Sequence, residues 1–279
     1  MVVSSRRAAV LGKPIAHSLS PVIHTAGYAA AGLTGWSYTR IECAASELPA
    51  LVAGLGPEWA GLSVTMPGKE AALEVAADAS PVAVAVGAAN TLVRRPDGSW
   101  YADNTDVGGM VRVLTDAGVG AGAAMTVLGA GGTARAALAA AARLACSSVT
   151  VVARRPEAVD ELRTVAGALG VALTAAGWAD APRHLVADVV VSTVPKGVAD
   201  SLAEAVTWRP GGVFFDALYD PWPTPLATSA LAAGLRVVSG LDLLLAQAVG
   251  QFEQFTGVVA PVEAMRAALR SATRSDFLS

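Results

Sequence analysis

With 279 residues, 53% of them hydrophobic and 15% charged, the chain is long enough for two cored domains and too apolar to be disordered. A net charge of −3, with no basic stripe interleaved with aromatics, speaks against a nucleic-acid partner. Cys43 and Cys146 lie far apart without metal-type spacing, and His17, His24 and His184 do not cluster with carboxylates, so a reduced, cytoplasmic setting and no metal are expected.

The first hundred residues predict alternating strands and helices. Residues 8–11 form a short apolar strand. The preceding Ser5-Arg6-Arg7 faintly resembles a twin-arginine signal, but the apolar run is too short for one and ends in Lys13-Pro14. Residues 21–31 read as a helix, with Ser20 as N-cap, Pro21 at the first position and Gly32 as the stop. Strands follow at 37–42 and 61–65, with a helix at 46–54 between them. After the Met66-Pro67-Gly68 break, 69–77 returns to helix. Strands at 88–93 and 100–102 flank the Pro96-Asp97-Gly98 turn, and 107–117 is the connecting helix.

From residue 124 the pattern becomes regular. Strands are expected at 124–128, 148–153, 188–192, 213–216 and 236–238, with helical segments between them, the signature of a parallel, doubly wound sheet. The uncharged stretch 117–134 is long enough to suggest a membrane span, but its glycines argue against one. Two helices, 241–256 and 262–272, close the chain; they either return to the first domain or form an oligomer contact. The expected division is therefore 1–106, 107–240 and 241–279.

The sequence Thr126-Val-Leu-Gly129-Ala130-Gly131-Gly132-Thr133-Ala134-Arg135 matches G-x-G-x-x-A, a turn that brings backbone close to a dinucleotide pyrophosphate at a helix N-terminus. The plainer reading is a tight strand-to-helix turn with no ligand. An NAD unit places an acid about 20 residues further on. Here Val149–Ala153 runs instead into Arg154-Arg155, whose guanidinium groups suit a 2′-phosphate and so favour NADP. Glu157 is better placed in the first turn of the next helix.

More than a hundred residues precede this loop and must supply the acid/base chemistry. Lys69, after an apolar strand, and Asp106, before the connecting helix, form a workable proton donor and acceptor facing a nicotinamide across a cleft. The plainer reading makes them a solvated helix start and an N-cap. Ser18 and Ser20 beside a helix N-terminus suit a small carboxylate. His17 and His24 are expected to brace that loop.

Several separated motifs occur in order: Gly12-x-Pro14-Ile-x-His17-Ser18-x-Ser20-Pro21, Ser63-Val-Thr65-Met-Pro67-x-Lys69, Gly87-x-x-Asn90-Thr91 and Asp103-Asn104-Thr105-Asp106-x-x-Gly109. After the glycine loop come Asp216-x-x-Tyr219-x-Pro221 and Ser239-Gly240-Leu-x-x-Leu-Leu-x-Gln247-Ala. Together they resemble the shikimate dehydrogenase family from end to end.

The resemblance implies an N-terminal α/β substrate domain, a Rossmann-type NADP domain with a doubly wound parallel sheet, and C-terminal helices returning to the substrate domain. It implies reversible NADPH-dependent reduction of 3-dehydroshikimate to shikimate, with Lys69 and Asp106 as the catalytic pair. Ser18, Ser20, Ser63, Thr65, Asn90 and Gln247 would hold the substrate, and Tyr219 would approach from the far lip. Gly129, Ala130, Gly131, Gly132, Thr133, Ala134, Arg154, Arg155 and Thr193 would hold the cofactor, with Gly240 near the nicotinamide. A homodimer is left open.

Two departures stand out. Ser63 occupies a position where many members carry asparagine, and Ala153-Arg154-Arg155 replaces the usual Asn-Arg-Thr. The alternatives are a catabolic quinate/shikimate dehydrogenase, which often prefers NAD, and a non-catalytic NADP-binding regulator. The missing acid after Ala153 opposes the first, and retention of both Lys69 and Asp106 opposes the second.

Overall fold

The computed structural model describes residues 5–273, and the chain separates into two compact units. One comprises the described residues up to 105 together with those from 244 onward; the other comprises residues 106–243.

In chain order the first stretch contains β1 (Arg6–Gly12), α1 (Ser20–Ala30), β2 (Trp36–Glu42), α2 (Leu48–Ala53), β3 (Trp59–Val64), α3 (Lys69–Val75), β4 (Asp78–Ala79), α4 (Pro81–Val86), β5 (Thr91–Arg94) and β6 (Trp100–Asp103). Its sheet is mixed, in the order β2-β1-β3-β5-β6-β4. β2, β1 and β3 run parallel, whereas β5 is antiparallel to β3 and to β6.

The second unit begins within α5 (Thr105–Asp116). It continues through β7 (Ala124–Leu128), α6 (Gly132–Arg143), β8 (Ser148–Ala153), α7 (Pro156–Leu169), β9 (Leu173–Gly177), α8 (Ala181–His184), β10 (Val189–Ser192), α9 (Leu202–Ala205), β11 (Val213–Asp216), α10 (Pro225–Ala232) and β12 (Arg236–Val238). The helices α11 (Gly240–Thr256) and α12 (Val262–Thr273) follow, and from Leu244 onward this tail belongs to the first unit.

The second sheet is parallel throughout, in the order β12-β11-β10-β7-β8-β9. Side chains alternate between its faces, and both faces are buried. Val127, Val149, Val151, Val189, Val191 and Phe215 enter one core, with Met110 and Leu114 of α5 and the alanines of α6. Leu128, Val152, Val190 and Phe214 enter the other, with Leu185, Leu202 and Leu226. Continuous Val-rich strands are what two covered faces require, and this unit is doubly wound as expected.

The same alternation sorts the first sheet. Leu11, Leu62, Val64 and Leu92 face a core completed by α2, α3 and α4. Gly61 and Ser63 point to the opposite face, toward α11. A side chain at Gly61 would collide with the Phe255 ring, its Cβ falling 2.0 Å from that ring, so glycine there admits the helix. On the same side, α12 lies against α1. The expectation that the C-terminal helices return to the substrate domain holds.

Local details differ from the sequence reading. Ser20 is not the N-cap of α1 but its first residue. Leu19 precedes it with no capping side chain, and the Ser18 hydroxyl accepts the Ser20 N–H at 3.3 Å. The strand expected from residue 88 begins at Thr91. The N–H groups of Ala89 and Asn90 bond instead to the carbonyls of Lys69 and Asp103. The short β4 and the helix α4, capped by the Ser80 hydroxyl, were not expected, and nor was β9. Among the described residues no helix is long and apolar enough to cross a membrane.

Candidate active site

The substrate-site candidates of the first unit converge on the C-terminal ends of β1 and β3 and on the start of β5. Ser18 lies in the loop after β1. Its carbonyl accepts from the Arg40 guanidinium through Nε at 2.9 Å and Nη2 at 2.5 Å, which fixes the loop to β2. Ser20, the first residue of α1, is buried. Thr65 continues β3, its N–H bonded to the Leu11 carbonyl at 2.8 Å, and Lys69 opens α3. The Lys69 carbonyl holds the Ala89 N–H at 2.8 Å, which draws the start of α3 to the residue before Asn90.

Asn90 is the most heavily organised member. It is 3% exposed. Its Oδ1 accepts the Thr105 N–H at 2.8 Å, the Thr91 hydroxyl at 2.8 Å and the Thr105 hydroxyl at 3.1 Å. Its Nδ2 faces Oε1 of Gln247 at 3.5 Å. Gln247 in turn donates Nε2 to the Leu244 carbonyl one turn earlier at 2.8 Å. The residues expected far apart in sequence, Asn90 and Gln247, are thus brought together within one unit.

Ser63 sits inside a buried hydrogen-bond chain. The Tyr38 hydroxyl donates to its Oγ at 2.6 Å, and Ser63 donates to Oε1 of Gln251 at 2.7 Å. Burial pushes the Tyr38 phenol well above its ordinary range, with hydrogen bonding to Ser63 and Ser20 opposing the shift. Tyr38 also stacks on His24, ring centroids 4.1 Å apart and planes 9° from parallel. His24 is fully buried among Tyr28, Tyr38, Phe252 and Phe255. Desolvation lowers its pKa to about 3, with Gln251 acting in the opposite direction. It braces α1 against α11, and His17 is exposed.

Gln251 and Tyr38 were not singled out in the sequence. A glutamine in a long helix reads as a solvated face. The available signal was its spacing, one turn after Gln247, which puts two amides on one stripe of α11.

The segment that leads to Asp106 is fastened on each side. Asp103 accepts Nε2 of Gln254 at 2.7 Å, and Nδ2 of Asn104 donates to the Ala88 carbonyl at 2.9 Å. Asp106 follows Thr105 as the second residue of α5 and is half-buried.

The cofactor candidates lie in the second unit, at the C-terminal edge of its parallel sheet, where open α/β sheets bind nucleotides. Gly129, Ala130, Gly131, Gly132, Thr133 and Ala134 connect β7 to α6. Gly129 has φ +102°, and a Cβ there would fall 2.6 Å from the Thr193 hydroxyl, so only glycine fits. That hydroxyl is bonded to the Leu128 carbonyl at 2.8 Å. A Cβ at Gly131 or Gly132 would meet nothing within 4 Å, and no side chain caps the start of α6. The loop thus offers open backbone and uncapped N–H groups, which fits a pyrophosphate. Arg154 and Arg155 are exposed at the end of β8, with no acid between Ala153 and the start of α7.

At the end of β11, buried Asp216 accepts the Leu218 N–H at 3.1 Å and the Thr224 hydroxyl at 2.9 Å, fixing the loop that carries half-buried Tyr219. Desolvation holds the Asp216 carboxyl above its ordinary range, and burial raises the Tyr219 phenol. Gly240, at the start of α11, runs so close to the Ala217 carbonyl that a Cβ would lie 2.1 Å from its oxygen, so packing alone demands glycine.

Two family models match the chain. The shikimate dehydrogenase substrate binding domain covers residues 10–92, and the shikimate 5′-dehydrogenase C-terminal domain covers residues 240–270. The chain is 38% identical to the NADP(+) shikimate dehydrogenase of Moorella thermoacetica, over 95% of this chain and 92% of that one. Among solved structures it resembles shikimate 5-dehydrogenase from Mycobacterium fortuitum, with 50% identity, a TM-score of 0.88 and coverage of 96% and 99% of the two chains. It also resembles the Thermus thermophilus enzyme in complex with NADP(H) and shikimate, with 32% identity, a TM-score of 0.82 and coverage of 96% and 99%.

Proposed function

The chain belongs to the shikimate dehydrogenase family, and from that premise we propose that Lys69 and Asp106 handle the proton of its reaction. The activity is NADP-dependent interconversion of 3-dehydroshikimate and shikimate, within the shikimate pathway. When bound, NADPH supplies the hydride to the carbonyl carbon.

Lys69 gives a proton to the carbonyl oxygen as negative charge develops there, and in the reverse direction takes it from the hydroxyl. The Asp106 carboxylate holds the ammonium in orientation and balances its charge. Ser18 and Ser20 offer short hydroxyls for the substrate carboxylate. Thr65, Asn90 and Gln247 address ring hydroxyls, with Ser63 behind them; Tyr219 is assigned to the substrate by family resemblance. A hydroxylated carboxylate needs this mixture of short donors and acceptors.

The Gly129, Ala130, Gly131, Gly132, Thr133 and Ala134 loop with Thr193 would hold the pyrophosphate, and Gly240 would lie near the nicotinamide. Arg154, helped by Arg155, would grip the 2′-phosphate. The two arginines where an NAD unit carries an acid also speak against the NAD-preferring quinate alternative. The unpaired thiols of Cys43 and Cys146 suit a cytoplasmic setting.

The observation that carries this reading is the convergence of Asn90 and Gln247, 157 residues apart, within reach of each other in the first unit. Steady-state kinetics of Lys69→Ala tests it. Turnover should collapse while shikimate still binds; near-normal turnover would overturn the assignment of Lys69.

A further inference from the structure

Gln251 enters the first sheet from α11 and spans a cross-strand pair. Ser63 of β3 and Thr91 of β5 lie directly opposite each other in the antiparallel register. Gln251 accepts from Ser63 through Oε1 at 2.7 Å. Through Nε2 it donates to the Thr91 hydroxyl at 3.1 Å and to the Asn90 carbonyl at 3.0 Å. The side chain is 1% exposed, so each of these bonds forms away from water.

Two backbone groups fix the orientation of both amides in this cluster. The Asn90 carbonyl can only accept, so Gln251 must turn Nε2 toward it and Oε1 toward Ser63. Ser63 therefore spends its single proton on Gln251 and must receive the proton of Tyr38. On the other side, the Thr91 hydroxyl takes an N–H from Gln251 and passes its own proton to Oδ1 of Asn90. The Thr105 N–H can only donate, and it too points at Oδ1 of Asn90. The Asn90 amide is thereby locked with its oxygen inward and its NH2 toward Gln247.

We propose that Gln251 is a positioning residue of the substrate site, fixing hydrogen-bond polarity around Asn90 so that its NH2 faces the substrate while the Ser63 proton is committed to Gln251. This rests on the assignment of Asn90 as a substrate contact. It also accounts for serine at position 63. The space between Tyr38 and the start of β5 is filled by a serine hydroxyl and a glutamine amide from another element.

The test uses Gln251→Met, of similar length and without polar atoms, beside Gln251→Glu, which keeps the acceptor but cannot donate to the Asn90 carbonyl while ionised. Folding is checked by circular dichroism and thermal melting, and kinetics are run on the purified full chain. Leaving buried partners unsatisfied should raise the KM for shikimate by about tenfold or more, with the KM for NADP within about twofold and kcat less affected. Ser63→Ala combined with Gln251→Met should cost little beyond Gln251→Met alone, because both changes break the same chain.

An unchanged shikimate KM in a folded Gln251→Met or Gln251→Glu protein, even with a lowered melting temperature, overturns the proposal. If only one variant folds, it decides alone. Asn90→Ala separates the two levels. If it raises the shikimate KM and Gln251→Met does not, only the positioning role fails. If neither does, the site assignment itself fails.

Discussion

Oδ1 of Asn90 accepts the backbone N–H of Thr105 at 2.8 Å, which ties the start of β5 to the residue immediately before Asp106. A side chain assigned to substrate binding thus also sets where the chain turns into the helix carrying the proposed carboxylate. The proposed binding residue and the segment before the proposed carboxylate thus share one amide.

Removing the proton relay should damage turnover more than binding. A general acid/base contributes about 10²–10⁴-fold. Lys69→Ala should lower kcat by that order with a much smaller change in shikimate KM. Asp106→Asn should also lower kcat, since an amide carries no charge to orient the ammonium. Steady-state rates with shikimate and NADP check both.

Gln247→Ala should raise the shikimate KM and leave the NADP KM intact. Its Oε1 faces Nδ2 of Asn90, and its own amide is braced on the Leu244 carbonyl. A neutral hydrogen bond contributes about 0.5–1.5 kcal/mol net, so the expected rise is about two- to tenfold. Equal losses for both substrates would show that the residue only supports α11.

Cofactor choice should rest on Arg154. Hydrogen bonds to a charged group contribute about 1.5–3 kcal/mol, or about ten- to a hundredfold in affinity. Arg154→Ala should raise the KM for NADP by that factor and barely alter the KM for NAD. Parallel kinetics with the two cofactors distinguish phosphate recognition from a loss of fold.

The nucleotide unit was legible because its physics is local. Valine runs such as Val149–Val152 and Val189–Val191 need two covered faces, and the glycine turn announces the strand-to-helix crossing. The edge strand β9, Leu-Thr-Ala-Ala-Gly, has too weak an apolar pattern to be seen. The proposed functional residues Lys69, Asp106 and Asn90 stand out in the sequence by type and motif. Their supports were not. Tyr38, Gln251 and Thr105 gain meaning only when β2, α11 and α5 are set around β3 and β5, and nothing local records that. Ser20 was misplaced by one residue because Ser18, not Ser20, satisfies the exposed backbone N–H at the start of α1.

Acid should destabilise the fold through His24. Its folded pKa of about 3 lies below the unfolded value near 6.5, so below pH 6.5 the unfolded chain binds the extra proton. Stability from this group is present above pH 6.5 and is lost as pH falls toward 3. At 1.36 kcal/mol per unit, the loss near pH 4.5 is about 3 kcal/mol. Asp216, held above its ordinary pKa, acts in the opposite direction at low pH, so the comparison must isolate His24. Urea unfolding of His24→Phe between pH 7 and 4.5 should show a shallower decline than the unmodified chain. Identical slopes would mean that His24 does not titrate in this way.

The proposed substrate residues and the proposed 2′-phosphate contact of Arg154 together predict one preferred pair of substrates. Nicotinamide absorbance, followed with the purified protein, shikimate or quinate, and NADP or NAD, measures all four combinations of kcat/KM. The highest value should belong to shikimate with NADP, with quinate poor under either cofactor and NAD poor with either substrate. Comparable values for quinate and shikimate, or a preference for NAD, would contradict that pairing.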